Sequence, residues 1–169
     1  MGDGWTVLSF RGVALRIQPS WLLSLAIFTV LFQGRYVAQV SPAIPGPISW
    51  FLALATALLL FASVLLHELG HAVMAVREGV KVLSITLFHL GGIARVEKDC
   101  DTAMGSLRIA AAGPLVSLLL ALALLTTAGP SAQINPVLPL LCTQIGLLNL
   151  MLGLFNLLPG LPLDGGLIL

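Results

Sequence analysis

Residues 58–76 read LLLFASVLLHELGHAVMAV. Apart from Ser63, His67, Glu68 and His71, every residue in this stretch is apolar or glycine. About 20 mostly apolar residues suffice for a helix to cross the hydrocarbon of a bilayer, so the stretch reads as the heart of a membrane span. Ionisable side chains are costly there and mark function by default. On a helix His67 and His71 lie one turn apart on a shared face, and both imidazoles can reach one metal ion. Glu68, next to His67, can reach a water at that metal as general base, which is the chemistry of the HExxH spacing.

The rest of the chain agrees with a bilayer as its solvent. Of 169 residues, 58% are hydrophobic and only 9% charged, against about 25% charged in soluble domains. The net charge of +1 offers no basic field for nucleic acid, so none is expected as a partner. Cys100 and Cys142 form no CxxC pair and read as ordinary half-buried thiols. Four stretches are apolar enough to cross: about 21–40, interrupted by Gln33, Gly34 and Arg35, then 50–76, 107–127 and 136–158. The fold class expected is an all-α polytopic membrane protein of about four transmembrane helices with a small interfacial β element. Residues 1–20 lack the apolar run of a cleaved leader. Their loose alternation over 5–17 reads as a short strand or hairpin on the membrane surface. The division expected is an interfacial segment over 1–20 and a transmembrane core over 21–169, read as truncated at its carboxyl end.

Arg11 and Arg16 precede the first span, and Arg77, Lys81, Arg95, Lys98 and Arg108 lie between the second and third. By the positive-inside rule the amino terminus and this second loop face the cytoplasm. His71 lies six residues before Arg77, which puts the metal on the order of 10 Å inside the membrane at 1.5 Å per residue, with water entering from the cytoplasmic side. The loop is itself β-rich. VLSITLF over 82–88, Gly91-Gly92, and Ile93-Ala94-Arg95-Val96 read as a hairpin whose open edge can pair with an extended peptide. Glu97, Asp99 and Asp101 read as a solvated acidic turn.

A catalytic zinc takes three protein ligands and leaves one position open. The HExxHxxGxxH variant fails, because Met74 and Arg77 occupy the glycine and third-histidine places. The third ligand is therefore distant. Asp164, the one acid beyond Asp101, follows the last span in a Pro- and Gly-broken segment and is preferred on spacing; His89 is its rival. Asn156 either bonds backbone freed by Pro159 or donates to a carbonyl or oxyanion beside the metal. Asn149 reads as an interhelical hydrogen bond. Ala110-Ala111-Ala112-Gly113-Pro114 opens the third span with small residues that allow close packing against the metal-bearing helix, with Pro114 in its first turns.

With these residues in place, the chain resembles the site-2 protease family of intramembrane zinc metalloproteases, in its bacterial and archaeal form. The likeness rests on His67-Glu68-Leu69-Gly70-His71 and on Asn156-x-x-Pro159-x-x-Pro162-Leu163-Asp164-Gly165-Gly166, supported by Ala112-Gly113-Pro114, the strand at Gly91-Gly92 and the opening over 12–21. The resemblance implies that His67, His71 and Asp164 bind Zn2+, that Glu68 activates water and that Asn156 helps hold the substrate carbonyl or oxyanion. It implies a prokaryotic cell membrane and hydrolysis of peptide bonds in or near transmembrane segments of membrane proteins. Gly91, Gly92, Ile93, Ala94, Arg95 and Val96 are read from the residues themselves as the strand that pairs with the substrate, the alternative being a surface hairpin with no partner. Three departures stand out: Ser117 occupies a place where family members often have Asn, Gln18 one where the subgroup often has His, and the sequence stops five residues after Asp164 where the family usually continues with one or two further spans. The alternatives are a catalytically incomplete zinc-binding scaffold and a metal transporter. A transporter needs ligands spread along a path, whereas the polar residues here form one compact cluster.

Overall fold

A computed structural model describes residues 4–10, 13–40, 46–88, 91–98, 100–133, 137–158 and 164. Arg11, Gly12, His89, Asp99, Pro159, Pro162, Leu163, Gly165 and Gly166 lie outside them. The elements run β1 (Trp5–Phe10), β2 (Val13–Ile17), α1 (Ser20–Val40), α2 (Gly46–Arg77), β3 (Val82–Phe88), β4 (Gly91–Val96), α3 (Ala103–Ser131) and α4 (Leu138–Asn156).

Helices α2, α3 and α4 are each long and apolar enough to cross a membrane. That is three among the described residues, where about four were expected. α1 does form one helix over the first apolar stretch, but Gln33, Gly34 and Arg35 shorten its apolar part below the roughly 20 residues a span needs. The 32 residues of α2 extend about 48 Å at 1.5 Å per residue, more than the ~30 Å hydrocarbon core.

The helices pack with small and polar residues inward. The buried face of α2 steps through Ser49, Ala53, Thr56, Leu60, Ser63, His67, His71 and Ala75, the three- and four-residue spacing of a packing stripe. Large apolar side chains such as Phe51, Leu119 and Leu122 point outward. This inversion of the soluble pattern is what lipid requires, since small residues let backbones approach and polar ones bond across helices. Tyr36 and Thr56 share a hydrogen bond of 2.7 Å between α1 and α2. Asn149 Nδ2 donates to Ser63 Oγ at 3.1 Å between α4 and α2, as its position in the apolar span predicts.

Thr102 caps α3, its hydroxyl accepting from the Gly105 N–H. The helix thus begins a turn before the expected span. Pro114 consequently lies in its interior rather than in its first turns, where its ring supplies no N–H for the carbonyl one turn back.

The two β-rich segments, read separately as a short strand or hairpin and as a small hairpin or sheet, form one four-stranded sheet in the order β1-β2-β3-β4. β2 and β3 pair in parallel, with Ala14 opposite Ser84 and Ile17 opposite Leu87. The connection between them is the α1–α2 hairpin, which supplies the long crossover a parallel pair needs. At the end of α2, Gly79 adopts φ +79, a left-handed turn that glycine takes without a Cβ penalty, and the chain reverses into β3. Val80, Val82 and Ile85 then pack on Ala72 and Ala75 of α2. This contact fixes the sheet beside the HExxH turn, with β4 as the edge strand on that side and β1 as the other edge among the described residues.

Candidate active site

His67 and His71 present their rings from successive turns of α2, centroids 4.9 Å apart. Their Nε2 atoms stand 3.2 Å from each other. Asp164 Oδ2 lies 3.2 Å from His67 Nε2 and 3.1 Å from His71 Nε2. The three residues form a group positioned to bind a metal ion. Ligand atoms about 2.0–2.1 Å from a tetrahedral zinc stand on the order of 3.3 Å apart, so the triangle has close to the required edge.

The donor chemistry supports the same conclusion. His71 Nδ1 lies 2.7 Å from the Ile109 carbonyl oxygen. A carbonyl only accepts, so Nδ1 carries a proton and the neutral ring offers Nε2 as a bare lone pair. His67 Nδ1 lies 2.9 Å from Ser117 Oγ and turns its own Nε2 to the same point. Two imidazole lone pairs and a carboxylate oxygen facing each other are a set completed by a cation. Space is reserved as well: a Cβ built on Gly113 would run into His71 Nε2. The closeness of α3 that the Ala112-Gly113-Pro114 run predicts therefore reaches the metal position itself. Gly70, against the Ala112 carbonyl, allows the same approach from the α2 side.

Glu68 faces a cavity of about 570 Å³ that His71 and Asp164 also line, together with Gly92, Ile93, Ala94 and Val96 of β4. A Cβ on Gly92 would collide with the Glu68 side chain, and the backbone of Ala94 is a hydrogen-bond partner of the Glu68 carboxylate. The edge strand thus lies across the HExxH glutamate. Gly91 and Arg95 belong to the same strand but do not line the cavity among the described residues.

Asn156 lies in the last turn of α4. Its Nδ2 donates to the Leu152 carbonyl at 3.0 Å, and it is not among the residues lining the cavity. The acidic turn is solvated: Glu97 pairs with Lys81 at 3.5 Å and Asp101 with Lys98 at 2.8 Å. The Asp101 hydrogen bond raises the pKa of Lys98. Reading the residues alone did not single out Ser117 or Ile109 as partners of the histidines. The one available signal for Ser117 was its place three residues after Gly113-Pro114.

Fold and site together define a class: a membrane-helical bundle carrying an HExxH metal-binding group inside it, walled by the edge strand of a small sheet. Residues 55–136 match Peptidase family M50. The solved structure of a site-2 protease from Methanocaldococcus jannaschii is 32% identical, aligns over 97% of this chain and 68% of its own, and has a TM-score of 0.63. The chain belongs to the site-2 protease family. It is also 44% identical, over 98% of its length, to a Synechocystis protein provisionally named a zinc metalloprotease. A protein of M. jannaschii named a zinc metalloprotease is 50% identical over 66% of this chain. The chain spans 43% and 32% of the length of these two curated relatives.

Proposed function

We propose that this chain is the catalytic core of an intramembrane zinc metalloprotease, which hydrolyses peptide bonds in or near transmembrane segments of membrane proteins. The observation that carries the proposal is the convergence of His67, His71 and Asp164 on one point beside Glu68 and the edge strand β4. In this reading the two histidines and the aspartate hold Zn2+. When bound, zinc polarises the scissile carbonyl and makes water nucleophilic near neutral pH. Glu68 takes the proton from that water on its carboxylate and returns it to the leaving amine. Asn156 donates its amide to the substrate carbonyl after exchanging its bond to Leu152.

The substrate enters as an unwound strand. A transmembrane helix hides its amides in internal hydrogen bonds, and Gly91–Val96, an edge strand with no strand on its outer side among the described residues, can hold the extended form. In the proposed topology α1 makes a fourth crossing, the sheet lies at the membrane interface, and the amino terminus and the opening of the site face the cytoplasm of a prokaryotic cell. The positive-inside distribution of Arg11, Arg16, Arg77, Lys81, Arg95, Lys98 and Arg108 supports that orientation.

The test is cleavage of tagged single-span proteins in membranes by the native sequence and by Glu68→Gln, with bound zinc measured alongside. Glu68→Gln is expected to keep its zinc and lose turnover by about 10²–10⁴-fold. Equal turnover at equal zinc removes the assignment, and zinc binding without cleavage by the native sequence favours the scaffold.

A further inference from the structure

We infer that Ser117 is a positioning residue for His67, setting the ring nitrogen that faces the metal; this rests on the zinc-site reading above. Helix α3 contacts both imidazoles on the side away from Asp164, but by different means. His71 is held by the backbone carbonyl of Ile109, which no side-chain substitution removes. His67 is held by a side chain, the Ser117 hydroxyl, at 2.9 Å. Among the described residues no other side chain meets an Nδ1 of the pair.

The hydroxyl is not spent in the usual way. Thr29, Thr56, Ser63, Thr126 and Thr127 each donate to a carbonyl one turn back in their own helix, the common habit of hydroxyls in apolar helices. Ser117 instead turns its Oγ across the helix interface to α2. It is fully buried, with no exposed surface, so no water stands ready to replace it. With His67 Nε2 committed to the point shared with His71 and Asp164, Nδ1 carries the ring proton and donates to Ser117 Oγ. Removing that acceptor leaves a buried N–H unpaired and frees the ring both to rotate and to move its proton to Nε2, where it blocks the metal. Partners of this kind are worth about 10–100-fold in metal affinity.

The experiment measures zinc affinity of the purified membrane protein in detergent by chelator competition, with the cobalt(II) absorption spectrum as a second readout. Ser117→Ala is expected to weaken zinc by about 10–100-fold and to shift the cobalt bands, because the His67 ring is no longer oriented. Ser117→Thr, which keeps the hydroxyl, is expected to restore both. Ser63→Ala, which removes another buried hydroxyl of the bundle without touching either histidine, is expected to leave affinity and spectrum unchanged. Native affinity and spectrum in Ser117→Ala overturn the inference, as does an equal loss in Ser63→Ala, which would mark a general packing effect. If His67→Ala binds zinc as tightly as the native protein, the metal-site reading itself fails, and the positioning role with it.

Discussion

A single methyl group separates two functions at this site. A Cβ at Gly113 meets His71 Nε2, whereas a Cβ at Gly92 meets the Glu68 side chain. Gly113→Ala is therefore expected to abolish stoichiometric zinc, read by metal analysis of the folded protein. Gly92→Ala is expected to retain zinc and lose turnover, because it displaces the base but not the ligands. If both variants lose zinc equally, the division of labour between the two glycines is wrong. Asn156→Ala is expected to lower kcat by about 10²-fold, the loss typical of one oxyanion donor, with zinc affinity unchanged; an unchanged kcat would leave Asn156 its bond to Leu152 and nothing more. His67, Glu68 and His71 were legible in the sequence because their spacing is helical and their surroundings apolar. Asp164 was legible because no other acid follows Asp101. The task of Gly113 was not, since it depends on where α3 crosses α2, and crossing points leave no local signal.

The strands were legible from their β-branched runs, but their partnership was not. β2 and β3 are joined through α1 and α2, and such a parallel pairing has no turn chemistry to announce it. What the pairing achieves is placement: it anchors the amino-terminal strands to the strand next to β4, so that the edge over Glu68 belongs to a four-stranded sheet rather than to an isolated hairpin, which is marginal alone. The outer strand β1 leaves Trp5, Val7 and Leu8 about 60% exposed, a composition suited to the headgroup boundary, where aromatic rings collect. With Trp21→Phe and Trp50→Phe as background, Trp5 emission is expected to be quenched by phospholipids brominated near the headgroup end of the acyl chain. Insensitivity to brominated lipid would lift the sheet off the membrane. The α3 boundary carries its own test, since Thr102→Ala removes the hydroxyl that caps Gly105 and is expected to cost about 1 kcal/mol of stability in detergent.

At the scale of the whole molecule, the bundle is held by polar and small residues within and apolar ones without, and this arrangement makes the metal group part of the architecture. His67 and Asp164 are 97 residues apart in sequence. One sits in the middle of the bundle on α2, the other beyond the end of α4. A cation held by the two histidines and the carboxylate ties α2 to Asp164. A ligand that binds only the folded state stabilises it by mass action, about 2.7 kcal/mol at a hundredfold excess over Kd. At 2–4 °C per kcal/mol for a chain of this size, removing zinc is expected to lower Tm in detergent by on the order of 5–10 °C. In Asp164→Ala the same chelation is expected to change Tm little, because the ligand that reaches across the bundle is already gone. A chelator effect of equal size in both proteins would place the stabilising metal elsewhere. A native Tm indifferent to chelation would mean that the fold holds His67, His71 and Asp164 together without help from a cation.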